Sequence, residues 1–477
     1  MAIAALGFAC MLGLIAMRAP IALAMLTVGA AGYAYLSGPH ALIYYLQTNT
    51  YHQFAGYTLS VIPLFILMGA LAERSGMAAS LFKAAERGLG RVRGGLPMAV
   101  ILACTGFGAI CGSSVATTAT FGRAALPELR RAGVAPGFAA GTIAAGGTLG
   151  ILIPPSVILV IYAITAEQNI AKLFQAALIP GLLAAVFYCL AIAFVVRRRP
   201  ELAPVAKIDA GVKLRRPAWT RPVGIVLLVA ALALWSAGLI GAAAALLAAA
   251  IAALLLFADF AVIPTAAVAV IVVGGIYGGV FTPTEGAAVG VIVMLALGLA
   301  QGRLSRDGIV TALRQTAETT GMIFLILFGA EVFGAFLALT RMPTVLADLI
   351  GASGLPPYAV LAGMLVIYIL LGAVMDELAM ILLTLPVFVP IVLALDFGMA
   401  PEDVAIWFGM LVLIVVGIGL AAPPIGLNVF IVSKIAEDVP LTAAYRGVLP
   451  FVCADLVRLV IVAAVPALSL WLVHLLN

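Results

Sequence analysis

Residues 146–156 read Gly146-Gly147-Thr148-Leu149-Gly150-Ile151-Leu152-Ile153-Pro154-Pro155-Ser156, inside a long apolar stretch. Paired prolines remove two backbone donors and forbid a continuous helix, while the glycines permit conformations closed to other residues. The segment is expected to be unwound, and within lipid an unwound backbone survives only where it faces protein, water or a ligand. The arrangement returns at Gly417-Ile418-Gly419-Leu420-Ala421-Ala422-Pro423-Pro424-Ile425-Gly426-Leu427-Asn428. One double-proline break could be a simple kink. Two broken helices in corresponding positions of two halves point instead to a midplane site in a secondary transporter.

A polar segment precedes each break. In the first half it is Gly112-Ser113-Ser114-Val115-Ala116-Thr117-Thr118-Ala119-Thr120, midway through the apolar stretch 95–126. Its hydroxyls can bond back to helix carbonyls and favour close helix packing. They can equally line a hairpin tip that coordinates a hard monovalent cation or a carboxylate, and the residues alone leave both readings open. In the second half Asp376-Glu377, followed by Leu383-Thr384-Leu385-Pro386, has the same hairpin character. Asp376 is a cation-site candidate or a helix cap. Half-helix N-termini offer N–H groups and positive dipole to an anion, and unwound C-terminal ends offer carbonyls to a cation. A substrate anion coupled to sodium fits both.

The whole composition places these segments in a membrane. Of 477 residues, 65% are hydrophobic and 9% charged, against about 25% charged in a soluble domain. A bilayer core of about 30 Å takes roughly 20 apolar residues per helical span. Apolar stretches fall at about 2–17, 20–36, 58–72, 95–126, 136–163, 173–196, 223–263, 265–300, 320–340, 356–396, 404–433 and 447–473. The chain is thus an all-α polytopic membrane protein, and disulfide scaffolds, nucleic-acid-binding modules and cytosolic enzymes are excluded. The first stretch lacks a basic leader and runs on past Arg18, so it reads as a retained span. The stretch 223–263 is too long for one straight crossing, and Gly241 is a plausible turning point.

Arg197, Arg198, Arg199, Lys207, Lys213, Arg215, Arg216 and Arg221 put 8 of the 25 basic residues into one loop, which the positive-inside rule assigns to the cytoplasm. With its prolines, this loop divides the chain into a first membrane half (1–196), a linker (197–222) and a second half (223–477). The segment 37–60 carries no Asp, Glu, Lys or Arg and reads as a loop. Charged loops are expected at 73–93, 123–131 and 301–318.

Few ionisable groups remain inside. Asp455 and Arg458 lie three apart on a helix and are expected to neutralise each other. Glu285, in Thr282-Pro283-Thr284-Glu285-Gly286, is a candidate functional acid; for Glu285 and Glu331 ion or proton handling and a buried pair both stay open. Five cysteines without a CxxC pair and three histidines give no metal site. There is no phosphate-binding GxxxxGK[ST] loop, no HExxH and no GxSxG, and neither Lys172 nor Lys434 lies beside the serine cluster, so an enzyme is not expected.

The chain resembles the large membrane subunit of tripartite ATP-independent periplasmic (TRAP) transporters. The resemblance rests on 112–127 (GSSVATTATFGRAALP), 147–162 (GTLGILIPPSVILVIY), 174–182 (FQAALIPGL), 282–288 (TPTEGAA), 375–390 and 417–430 (GIGLAAPPIGLNVF), and does not extend to 197–263. It implies a sodium-coupled importer of organic anions such as dicarboxylates in the bacterial inner membrane. A small membrane subunit and a periplasmic substrate-binding protein would be its partners. It further implies two inverted repeats, each with a re-entrant hairpin and a broken helix, moving as an elevator. Carried over by position, one sodium site involves Ser113, Ser114, Thr117 and Thr118 with backbone near Gly147 and Thr148, before Pro154 and Pro155. The second involves Asp376 with backbone from Gly419 to Pro423 and Pro424, with Asn428 close by. A self-sufficient anion symporter and a non-transporting membrane scaffold are the rival readings.

Overall fold

The computed structural model describes residues 1–205, 225–230, 233, 236 and 263–476, and no strand occurs among them. In chain order the helices are α1 (Ala2–Ala16), α2 (Ile21–Ser37), α3 (Pro39–Phe54), α4 (Val61–Arg74), α5 (Met77–Leu89), α6 (Gly95–Cys111), α7 (Ser114–Arg131), α8 (Pro136–Leu152), α9 (Val157–Thr165) and α10 (Ile170–Arg198). After the linker come α11 (Ile263–Tyr277), α12 (Pro283–Ala300), α13 (Arg306–Leu339), α14 (Met342–Ala352), α15 (Pro357–Gly372), α16 (Glu377–Ala394), α17 (Pro401–Ala421), α18 (Leu427–Ile435), α19 (Leu441–Ala464) and α20 (Ala467–Leu476). Among the described residues, seven helices are long and apolar enough to cross a membrane, or eight if the bent pair α8 and α9 counts as one span. The polytopic all-α expectation therefore holds. The stretch around Gly241 and most of the 197–222 linker fall outside the described residues.

Both expected hairpins are present. Gly112 ends α6 at φ +62, a left-handed conformation suited to glycine, and Ser113 starts α7 as its N-cap. The second hairpin joins α15 to α16, with Asp376 capping α16. Both breaks are present but shorter than expected, because the glycine-rich runs 146–152 and 417–421 stay helical and only the proline pairs interrupt the helix. Residues 153–156 separate α8 from α9 with a bend of 45°, and residues 422–426 separate α17 from α18; Pro154-Pro155 and Pro423-Pro424 are both cis.

Each hairpin rests on its broken helix through glycine, at the same spacing in both halves. A Cβ at Gly108 would lie 3.0 Å from the Leu149 carbonyl oxygen and 3.2 Å from Gly150 Cα. A Cβ at Gly419 would lie 2.8 Å from Gly372. Gly150 and Gly419 each stand four residues before the double proline, and Gly108 and Gly372 stand four residues before Gly112 and Asp376. Small residues let these backbones approach as membrane helices require.

Around this centre, α17 is enclosed along its whole apolar window. Its Trp407 indole donates to the Val462 carbonyl at 2.9 Å, and Tyr162 donates to the Ala405 carbonyl at 2.6 Å. The long α13 packs along α2, where a Cβ at Gly29 would meet Phe333 backbone at 2.7 Å and one at Gly329 the Ala22 carbonyl at 2.5 Å.

Three expected loops are largely helical. Residues 37–60 contain α3, which starts with Pro39 at its first position after Gly38 and buries no residue. Residues 73–93 contain amphipathic α5, with Met77, Ala78, Leu81 and Phe82 turned inward. Within 301–318, α13 already begins at Arg306, where the Ser305 hydroxyl accepts from Gly308 N at 3.1 Å.

Candidate functional site

The two hairpin tips face a common cavity of about 280 Å³. Its wall is built from the α6–α7 tip (Cys111, Gly112, Ser113, Val115 and Ala116), the start of α9 (Val157, Ile158), the start of α16 (Glu377, Leu378), α4 and one face of α13 with Gln315 and Thr319. Three helices therefore present their N-terminal turns to one space. Each such turn carries unpaired N–H groups and the positive end of a helix dipole. The caps differ: Ser113 Oγ accepts from Ala116 N at 3.4 Å, and one oxygen of Asp376 accepts from Leu378 N and Ala379 N, each at 3.0 Å. The α9 terminus has no side-chain cap, and the hydroxyl of its N-cap residue, Ser156, is buried without a hydrogen-bond partner among the described residues.

Glu73 and Glu377 are the acidic residues of the wall, and no lysine or arginine lines it among the described residues. Arg123 reaches it indirectly, through an ion pair to Glu73 at 2.6 Å. One oxygen of Glu377 is buried with no partner among the described residues. The helix starts make the space electropositive from the backbone, and the charge of Glu73 is offset by Arg123. That field suits an anion.

Behind the first tip lies a dense oxygen cluster. Ser114 Oγ donates to Asn428 Oδ1 at 3.0 Å, while Asn428 Nδ2 donates to Ser114 Oγ at 2.7 Å and to the Ala144 carbonyl at 3.2 Å. Thr117 donates to the Ser113 carbonyl at 2.7 Å. Thr118 Oγ1 is buried without a partner among the described residues and lies 1.8 Å from where a Gly147 Cβ would be. Ser114, Thr117, Thr118 and Asn428 are fully buried.

The structure redistributes several expected site residues. Asn428, expected beside the second site, lies in the first cluster and ties the second broken helix to hairpin 1. Thr148 turns its hydroxyl away from the hairpin, to the Ala145 carbonyl at 2.7 Å and to Tyr188 OH at 2.9 Å. Pro154 and Pro155 are buried beneath Gly112, whose Cβ would meet the Pro155 carbonyl oxygen at 2.8 Å. Pro423 and Pro424 are exposed, and Tyr445 OH donates to the carbonyls of Pro424 (2.9 Å) and Ile425 (2.7 Å). The two breaks are therefore unlike: one closed within protein, one open at its proline pair.

Glu285 stands apart from this centre. It completes a capping box at the start of α12, accepting from Thr282 N at 2.8 Å while its own N–H donates to Thr282 Oγ1 at 3.3 Å. The signal was the Thr282-Pro283-Thr284-Glu285 spacing itself. Glu285→Ala is expected to leave uptake unchanged and to lower the thermal midpoint slightly; a loss of uptake with normal abundance would return Glu285 to the transport machinery.

Asp455 and Arg458 neutralise each other as expected, at 2.7 Å and with 2% and 0% exposure. Sequence reasoning did not include the rest of the network. Tyr188 donates to Asp455 at 2.5 Å and meets Thr148 on its other side, so the ion pair reaches the first broken helix.

The contact between the first hairpin and its broken helix allows a direct test. A Cβ at Gly150 would lie 2.6 Å from both the Ser113 carbonyl oxygen and Thr117 Oγ1. Gly150→Ala is expected to displace hairpin 1 and cost about 1–3 kcal/mol by overpacking, measured as a lowered unfolding midpoint with sharply reduced uptake. Wild-type behaviour in both assays would mean that the hairpin does not sit tightly on the break.

Comparison with known proteins agrees with this architecture. The tripartite ATP-independent periplasmic transporter DctM component matches residues 8–468. The C4-dicarboxylate TRAP transporter large permease protein DctM of Pseudomonas aeruginosa is 33% identical over 417 residues, covering 87% of this chain and 86% of that protein. The sialic acid TRAP transporter large permease protein SiaM of Vibrio cholerae is 29% identical over 421 residues, covering 88% and 87%. Among solved structures, the Alcanivorax borkumensis YdaH transporter, reported for an unusual topology, aligns with a TM-score of 0.58 at 16% identity, over 93% of this chain and 96% of that one. That last likeness is one of fold.

Proposed function

The chain belongs to the DctM component family of tripartite ATP-independent periplasmic transporters, and from that premise we propose that it is the sodium-coupled transport subunit of an organic-anion importer in a bacterial inner membrane. As a permease of this family it moves its substrate without chemical conversion. The small membrane subunit and the periplasmic binding protein would complete the importer, the latter delivering the anion.

The observation that carries this reading is the cavity rimmed by three helix N-termini, with no lysine or arginine among the described residues of its wall. Backbone N–H groups at helix starts hold a carboxylate or similar anion without a side-chain cation. The buried oxygens of Ser114, Thr118, Asn428 and the Ala144 carbonyl suit a hard cation, for which oxygen ligands are preferred. Asp376 with the backbone near Gly419 would supply the second site.

The matched glycine contacts and double-proline breaks support a repeated architecture in the two halves. An elevator movement would carry both tips with their broken helices as one body. Relatives named for C4-dicarboxylate and sialic acid support a carboxylate substrate.

The decisive assay uses proteoliposomes containing this chain and its partner subunits. Uptake of the anion loaded on the binding protein is expected to follow an inward sodium gradient and to be indifferent to ATP. Equal uptake with potassium replacing sodium would overturn the coupling. Full uptake by this polypeptide alone would favour the self-sufficient symporter.

A further inference from the structure

A second cavity, of about 540 Å³, lies between the end of α10 and the starts of α8 and α19. Arg198, Arg199, Arg446 and Thr442 line it together with Phe194 and Gly137, and there is no carboxylate among the described residues of its wall. None of these three arginines forms an ion pair among the described residues. Three unneutralised guanidinium groups around one concavity are costly to bring together unless an anion joins them.

The backbone adds to the same field. Helices α8 and α19 run parallel in close contact: a Cβ at Gly137 would meet the Ala443 carbonyl oxygen at 2.6 Å, and one at Gly141 would meet Gly447 at 2.2 Å. Their first turns both line the cavity, and neither has a side-chain cap. The arginines and the two helix starts thus favour the same negative ligand, with guanidinium forks suited to phosphate oxygens.

The surface leading to the cavity identifies the ligand further. On α10, Val186, Leu190 and Phe194 recur every four residues and are 53%, 59% and 57% exposed. The next residue on that row is Arg198, whose guanidinium lies over the Phe194 ring at 4.4 Å. An outward apolar stripe that ends in a stacked arginine matches a lipid, with chains along the helix and headgroup at its end. A free anion would have no use for the stripe. The same end of α10 begins the basic linker, which the positive-inside rule places at the cytoplasmic leaflet, where anionic lipids attract juxtamembrane arginines.

We propose that this cavity is a binding site for the phosphate headgroup of an anionic phospholipid, which joins α8, α10 and α19 at the cytoplasmic surface. The inference depends only on the chain spanning a membrane, not on sodium coupling.

The test uses the full chain purified in detergent, probed by native mass spectrometry and thermal unfolding with phosphatidylglycerol, phosphatidylcholine or inorganic phosphate. Phosphatidylglycerol is expected to be retained and to raise the unfolding midpoint, while phosphatidylcholine and phosphate do neither. Arg198→Gln and Arg446→Gln are each expected to weaken that retention about fivefold. Arg306→Gln, an exposed arginine outside the cavity, should not. Because Arg446 is exposed, its variant serves if the Arg198 change compromises purification. Equal retention of the two lipids, or unchanged retention in both cavity variants, would overturn the proposal. A midpoint rise reproduced by phosphate alone would assign the site to a free anion and overturn it as a lipid site.

Discussion

Arg458→Met is expected to destabilise the protein by about 3–5 kcal/mol, the cost of leaving a buried carboxylate without its partner. Total stabilities of folded domains lie at about 5–15 kcal/mol, so this one change should sharply reduce accumulation in the membrane. The cause is electrostatic. Arg458 is fully enclosed, holds Asp455 at 2.7 Å and donates to the Pro180 carbonyl at 3.2 Å. Methionine fills much of the volume but supplies neither charge nor donor.

The double change Asp455→Leu with Arg458→Met separates charge from packing. Replacing a buried ion pair by apolar residues is often neutral or stabilising, so the double variant should recover most of the lost midpoint, read by thermal unfolding in detergent. If it is as unstable as the single variant, the contribution lies in packing and in the Pro180 contact. The network also has a functional side. Tyr188 links Asp455 to Thr148, so the recovered double variant should transport with altered sodium dependence, since Tyr188 is then no longer anchored to Asp455 and holds the broken helix less firmly.

The pattern of what the sequence made legible follows from range. Hairpin tips and breaks are local: Gly112-Ser113 ends one helix and caps the next, and paired prolines cannot continue any helix. The Asp455–Arg458 pair is one helical turn apart and equally local. Asn428 and Ser114 are 314 positions apart, and no periodicity or capping rule relates them. Only the tertiary arrangement of two halves brings them together. The same holds for Tyr188, 267 positions from Asp455.

Other misreadings had a local signal. Gly38 followed by Pro39 is a helix-start pattern, but the polar run Gln47-Thr48-Asn49-Thr50 offers no apolar stripe, and α3 buries nothing. At 301–318 the charges of Arg306, Asp307 and Arg314 suggested a loop, whereas they form the polar first turns of a 34-residue helix that then enters the apolar region. The unlike burial of the two breaks is a property of conformation. The Pro154–Pro155 and Pro423–Pro424 segments are too similar in sequence to foretell which is covered.

Asn428→Leu gives the second large effect. The side chains are close in size and the position is fully buried, so packing is largely kept while three hydrogen bonds are lost. The Ser114 hydroxyl loses its Asn428 partner while the Ala144 carbonyl keeps its helical bond, and an unsatisfied buried hydroxyl costs about 1–3 kcal/mol. If that cluster holds the coupling cation, the loss falls mainly on the bound state, because an oxygen ligand has gone and Ser114 is no longer positioned. The half-saturating sodium concentration should then rise by about tenfold or more, with abundance lowered less than uptake. Asn428→Asp preserves an oxygen in the same place and adds a negative charge, so it should retain sodium-dependent uptake. A leucine variant with wild-type sodium dependence and a lowered midpoint would make the cluster a structural tie between the halves. The cation would then have to be sought at Asp376 and the backbone near Gly419.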